Sequence, residues 1–290
     1  MQGHLDAPRK QSLLSSSASN NQPNSQSYAP RFVAFVDILG FADLVRRANH
    51  EPVLRGQIIE ALQKVRTTSA PGSGDTDLRV QNFSDSLILS SLPTATGLWH
   101  LLLSLDALAW NLLQIGVLVR GGVAMGGMHH DDEIVFGVGV IDAYRLESSV
   151  AKYPRIIISK TVLAKTQEFA SDDEVWDALK AARLRRDSDG VWFLHYLNDI
   201  AAANAHPRGT PQPGTDFWYD CGVSIQRIIQ GMLEETVDSP DVYAKVHWLG
   251  DYWNREVVGH QTWDDDTNFK RIVLAGNEPR PSPLPFRPKF

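Results

Sequence analysis

The chain has 290 residues, 43% of them hydrophobic and 21% charged, an ordinary globular balance with room for one large domain or two small ones. Its formal net charge of −6 argues against a bulk polyanion such as duplex DNA as the main partner, yet permits a small phosphorylated ligand held by a local site. A single cysteine, Cys221, excludes a disulfide framework or a cysteine zinc site within one chain and fits a reducing cytoplasm.

Residues 1–29 are rich in Ser, Asn and Gln and poor in large apolar side chains, so a disordered leader is expected there. The stretch lacks the charged-then-apolar layout of a signal peptide. Order is expected to begin at "RFVAFVDILGF", an apolar strand over Arg31 to Ile38 punctuated by Gly40. Two helices follow, "FADLVRRANH" and "EPVLRGQIIEALQKVRTTS". "APGSGDTD" is a turn cluster, and "LRVQNFSDSLILSSL" reads as a hairpin with Asp85 near its tip.

A long helix is expected around Gly97 to Leu113. The apolar run that holds it, "LWHLLLSLDALAWNLLQIGVLV", contains His100, Asp106, Asn111 and Gln114, so it reads as a buried helix entering a strand and not as a membrane span. The next stretch gives a strand, a glycine-bearing strand, a polar turn and a Gly-rich entry into the helix of "VIDAYRLE". "YPRIIIS" is a strand, "KTVLAKTQEFA" a helix, and "RRDSDGVWFLHYL" two strand-like pieces about Asp189-Gly190. Two helical segments, "FWYDCGVSIQRIIQGMLEETV" and "SPDVYAKVHWLGDYWNREV", precede a proline-rich tail. The order implies an α+β, ferredoxin-like domain over residues 30–200, a helical extension over 201–275 and a tail over 276–290.

Asp37 is the residue that demands explanation. It interrupts a strand that otherwise reads as buried, and a buried carboxylate without a partner is costly. The partner is either a protein cation or a metal ion. In a ferredoxin-like sheet the first strand lies beside the second and third, so Asp37 and Asp85 can come together. Two carboxylates, with backbone carbonyls and substrate phosphates, suit Mg²⁺ or Mn²⁺. Gly40 lets the backbone approach a ligand, and the helix start behind it offers N–H groups to an anion.

"FVDILGF", "NFSDSLIL", "VRGGVAMG" and "FGVGVIDAYRLE" follow one another in the order and spacing of class III nucleotidyl cyclases. Over residues 31 to about 197 the chain resembles that family, and its short motif forms look most like the bacterial pyrimidine nucleotide cyclases of the Pycsar antiphage systems. The resemblance implies that Asp37 and Asp85, with the carbonyl of Ile38, hold two divalent cations. It implies that the N–H groups of Leu39, Gly40 and Phe41 cradle the triphosphate. It implies that Arg145 is the transition-state arginine, delivered from the partner subunit of a homodimer with composite sites. The expected reaction turns UTP, ahead of CTP, into the 3′,5′-cyclic nucleotide and pyrophosphate, and a separate effector protein reads the product in defence against phage. Neither nucleic acid nor membrane is an expected partner, and the cytoplasm is the expected location.

The chain departs from the purine-specific pattern at three places. Gln81 stands where a base-reading lysine is usual, Ile134 where a base-reading aspartate is usual, and Ile141, beside Asp142, where the family has asparagine. The alternatives are therefore a purine cyclase with a divergent pocket, or a cyclase-fold module that binds nucleotide without turnover. The phosphate-gripping lysine of the classical enzymes has no clear match, with Arg185 or Arg186 the nearest candidate.

Blander readings hold elsewhere. Taken singly, Asp37 would be a capping or salt-bridged residue, Asp85 a turn aspartate, and Arg145 a solvated helix residue or a partner of Glu147. Arg120 in "VRGG" is expected to be structural. "HHDDE" reads as a solvated hairpin tip and "WDDDTNF" as an acidic surface turn, while Trp218, Trp248 and Trp253 read as core or dimer packing.

Overall fold

The computed structural model describes residues 28–67, 77–205, 215–259 and 269–274. The leader as far as residue 27, the core of the "APGSGDTD" turn, residues 263–268 of the acidic turn and the tail lie outside the described residues.

The chain is mixed α+β around one sheet. Strand β1 (Ala29–Ile38) leads into helices α1 (Phe41–His50) and α2 (Pro52–Thr67), then the hairpin of β2 (Arg79–Phe83) and β3 (Ser86–Ser91). Helix α3 (Ala95–Leu113) returns the chain to β4 (Val119–His130) and β5 (Val135–Gly137), followed by α4 (Val138–Arg145), which continues as a π-helical turn over Leu146–Val150. Next come β6 (Ile156–Ile158), α5 (Lys160–Asp172), α6 (Glu174–Arg183), β7 (Leu184–Arg186) and β8 (Trp192–Leu194). Helices α7 (Asn198–Asn204), α8 (Thr215–Glu235) and α9 (Pro240–Trp253) follow, and α9 runs into a π-helical turn over Asn254–Val258.

The strands lie in the order β2-β3-β1-β4-β6-β8-β7, with β5 paired to β4. β1 is antiparallel to both β3 and β4, which brings Asp37 opposite Ser86 on one side and Arg120 on the other. β4 and β6 are parallel.

Period-two alternation divides the sheet faces. The even residues Phe32, Ala34, Val36 and Ile38 of β1 join Leu87 and Leu89 and the buried side of α3 in the large core. The odd residue Val33 belongs instead to a small cluster with Ile88, Ala124, Met128 and Ala143, packed under α4. Asp37 therefore lies on the thinly covered face, beside α4.

Three elements differ from the expected reading. "VRGGVAMGGMHH" is one strand of 12 residues, not two. Its glycines are points of close approach: a Cβ on Gly122 would lie 2.4 Å from Leu146 Cβ and 2.6 Å from the carbonyl of Ala143. Only glycine lets α4 lie that near the strand. Helix α6 starts at Asp173, whose carboxylate accepts from the N–H of Val175, and α7 is a short Ala-rich helix; neither was expected.

The C-terminal helices share the large core. Tyr219, Ile225 and Ile229 of α8 and Val246, Leu249 and Tyr252 of α9 are buried with Phe193 and Leu197. A buried charge network fastens α9 to the strands: Arg155 meets Asp187 and Asp189, each at 2.5 Å, and Trp248 Nε1 donates to Asp187 at 2.7 Å. A buried ion pair offsets its desolvation only when such further hydrogen bonds are present.

Candidate active site

The site forms where β1 ends. The N–H of Ile38 donates to the carbonyl of Asp85 (2.8 Å), pinning the β2–β3 turn against the last residue of β1. The chain then turns through Gly40, whose φ of 71° lies in the left-handed region that favours glycine, and enters α1.

Asp37 has a protein cation beside it. Arg120 Nε lies 3.2 Å from Asp37 Oδ2 and 2.7 Å from Glu147 Oε1. Glu147 is 3% exposed. Burial pushes its pKa up; Arg120 opposes that shift, whereas Asp37 and Asp85 reinforce it. Both aspartates thus bear on one buried carboxylate. Close packing at Gly122 is what delivers Glu147 to this point, because the π-helical turn follows α4 directly.

The expected donors behave unequally. The N–H of Leu39 is taken by the carbonyl of Leu118 at 2.8 Å, so it is not free to cradle a phosphate. No acceptor among the described residues pairs with the N–H of Gly40 or Phe41. Those two groups open the N-terminus of α1, where the helix dipole favours an anion.

Arg145 stands apart from the carboxylates. Its side chain is 72% exposed and makes only a loose 3.8 Å pair with Asp142. It lines a cavity of about 390 Å³ with Ala124, Met125, Ser149, Ser159 and Thr161, toward β6. No ion pair among the described residues joins it to Asp37 or Asp85. Nor is it a partner of Glu147, since residues two apart on a helix do not face each other.

Arg185 is committed to Glu256 at 3.0 Å and to the carbonyls of Ala181 and Leu184. Arg186 lies on β7, at the opposite end of the sheet order from the β2–β3 hairpin, so neither grips a phosphate at Asp37 of its own chain. Gln81 lies near the other sheet edge, in a cavity of about 420 Å³ that it shares with Arg79, Val80, His130 and Asp131. Within "HHDDE", Asp131 accepts from the N–H groups of Glu133 and Ile134 and from His129, and these bonds hold its carboxyl down at about 2. His130 points inward to Ser90 at 2.7 Å, and burial, with Arg31 and Arg79, holds its imidazole down at about 4.

The donor set at Asp37 and Asp85, carboxylates beside backbone carbonyls, fits hard divalent cations. No group of three His, Cys, Asp or Glu side chains among the described residues is arranged to hold an ion. A cation there would complete its shell from carbonyls, water and phosphate oxygens. Sequence reasoning missed Arg120 and Glu147 as parts of this site. The signal available was the two-residue offset of Glu147 from Arg145, which turns it to another side of the helix.

Among the described residues no helix is long and apolar enough to cross a membrane. No protein-family model matches the chain, and no curated protein matches it either.

Proposed function

We propose that the chain is a nucleotidyl cyclase of the class III kind that acts as a homodimer in the cytoplasm. It turns UTP, ahead of CTP, into the 3′,5′-cyclic nucleotide and pyrophosphate. The observation that carries this reading is the 2.8 Å bond from the Ile38 N–H to the Asp85 carbonyl, which sets the Asp85 turn against the strand of Asp37, next to the N–H groups of Gly40 and Phe41, which meet no acceptor among the described residues. The antiparallel order β2-β3-β1-β4 is that of a ferredoxin-like sheet and supports the same reading.

Asp37, Asp85 and the carbonyl of Ile38 would hold the cations, and Gly40 and Phe41 would bind phosphate oxygens through their N–H groups. Two divalent ions, Mn²⁺ or Mg²⁺, would supply activation of the ribose 3′-hydroxyl and neutralisation of the leaving pyrophosphate. Arg145 would offer its guanidinium to charge developing on the phosphoryl oxygens, where a fixed donor is most effective. Its outward position suits service to a second chain's site.

The surface around Arg145 supports pairing of two copies. Ile134, Phe136, Val138, Ile141 and Tyr144 are each at least half exposed, and all lie on the β4–β5 hairpin and α4. Exposed apolar residues gathered on adjoining elements suit an association surface. A two-fold dimer through it would carry each Arg145 toward the other copy. The product would be a second messenger for a separate effector protein in antiphage defence.

A second reading is a cyclase-fold module without turnover. Two observations favour it: Ile141 replaces asparagine, and Arg120 already neutralises Asp37. Incubation with each of the four nucleoside triphosphates and Mn²⁺, with products resolved by mass spectrometry, separates the readings. Cyclic UMP as main product supports the first, cyclic AMP or cyclic GMP supports a purine cyclase, and binding without product supports the module.

A further inference from the structure

Two carboxylates, Asp37 and Glu147, flank one guanidinium, that of Arg120, where β1 ends. Arg120 Nε donates its hydrogen bond to Asp37 at 3.2 Å and also lies 2.7 Å from Glu147 Oε1 as an ion pair. The two partners differ in access. The Glu147 side chain is 4% exposed and held by the packing of Leu146 over Gly122, whereas the Asp37 side chain is 19% exposed at the open end of the strand. The shorter contact is to the buried acid, and the longer one is to the acid that solvent reaches.

We propose that Arg120 is a resident counter-ion that occupies Asp37 until a divalent cation replaces it, and that Glu147 is the positioning residue that keeps the displaced guanidinium. This inference rests on the reading of Asp37 and Asp85 as cation ligands. Without Arg120 the empty site would leave Asp37 and Glu147 facing each other as like charges, which is unfavourable at the low effective dielectric of a partly buried site. With Arg120 shared, the cluster keeps a net deficit of positive charge that a divalent ion can fill. On binding, Asp37 turns its oxygens to the incoming ion, and Arg120 moves fully onto Glu147. Glu147 cannot follow a cation outward because its helix is locked against β4. The guanidinium therefore lowers cation affinity by competing for Asp37, and also prevents the empty site from repelling itself apart.

The two residues should then act with opposite sign on cation binding. The test titrates Mn²⁺ alone into purified protein and follows free Mn²⁺ by electron paramagnetic resonance. Glu147→Gln removes one negative charge and leaves Arg120 with Asp37 as its sole carboxylate, so Mn²⁺ binding should weaken about tenfold. Arg120→Gln should tighten it by about the same factor. Because Arg120→Gln alone leaves Glu147 buried without a countercharge, the deciding comparison is made in the Glu147→Gln background. There, adding Arg120→Gln should restore most of the lost affinity. Equal or weaker Mn²⁺ binding in the double variant than in Glu147→Gln, with both melting cooperatively, overturns the proposal. Wild-type protein that binds no Mn²⁺ overturns the cation-site reading itself, and the counter-ion role with it.

Discussion

The backbone N–H of Ile38 and the backbone carbonyl of Asp85 form a 2.8 Å hydrogen bond between the end of the first strand and a distant turn. That one contact places Asp85 against Asp37's strand and makes two acids, remote in sequence, parts of one surface. Burial, with smaller contributions from both acids, raises the pKa of Glu147 nearby.

If these acids gather the cations of a cyclase, neither is replaceable. Asp37→Ala and Asp85→Ala should each lower nucleotide turnover by at least about a hundredfold. Arg120 keeps Glu147 as a partner when Asp37 is removed, so the fold and the dimer should persist. Size-exclusion chromatography and a mass-spectrometric product assay check both halves. Activity within tenfold of wild type in either variant would count against the cation assignment.

The outward position of Arg145 leads to a complementation test. An Asp37→Ala chain and an Arg145→Ala chain should each be inactive alone. Mixed after subunit exchange, they should recover about a quarter of wild-type activity, since half the dimers are mixed and each has one intact site. No recovery, despite verified exchange, would argue that each subunit completes its own site.

Pairing should depend on the apolar face of α4. Ile141 is 50% exposed, so Ile141→Asp changes little inside the subunit. Placed at a paired surface, it buries an uncompensated charge in each copy. Light scattering should show a monomer with an unchanged melting profile and with turnover lost. A dimer that persists would move the interface elsewhere.

The back of the sheet carries a pH-sensitive group. Asp106 on α3 is 2.8 Å from Arg183, which also meets Asp199 at 3.1 Å. Burial pushes the Asp106 carboxyl up to about 7; Arg183 opposes this and Asp199 adds to it. The unfolded chain loses this proton near pH 4, so between about pH 4 and 7 the folded state holds more protons. The stability Asp106 contributes is present below that window and lost as pH rises through it. Asp106→Asn keeps the neutral form at every pH. Relative to wild type, the variant should gain on the order of 2 kcal/mol between pH 5 and pH 7, read from urea midpoints at both values. A difference that does not change with pH would contradict this assignment.

Local patterns made much of the fold legible. "RFVAFVDI" alternates so that its even residues enter the large core, and "NFSDS" forms the expected turn between two strands. The glycines of β4 resemble punctuation in a sequence but serve close approach here: a Cβ on Gly126 would lie 2.8 Å from the Gly139 nitrogen. The seven residues of α7 are too few to show a periodic apolar face. At the site, Asp37 stood out as a carboxylate within an apolar strand, and Asp85 as the acid in the turn between two strands. The meeting of Arg120 and Glu147 was not. It depends on the β1–β4 register and on the depth to which α4 sinks at Gly122, and neither is recorded in residue spacing. The commitment of Leu39's N–H to Leu118 was hidden for the same reason.

The most direct test is a crystal structure with Mn²⁺ and a non-cyclisable UTP analogue, with anomalous scattering collected at the manganese edge. The expected map has anomalous peaks bridging Asp37, Asp85 and the triphosphate, Arg120 turned onto Glu147, and Arg145 of a second copy against the phosphates. A nucleotide bound away from β1, or Asp37 still held by Arg120 with no metal beside it, would contradict the cyclase reading.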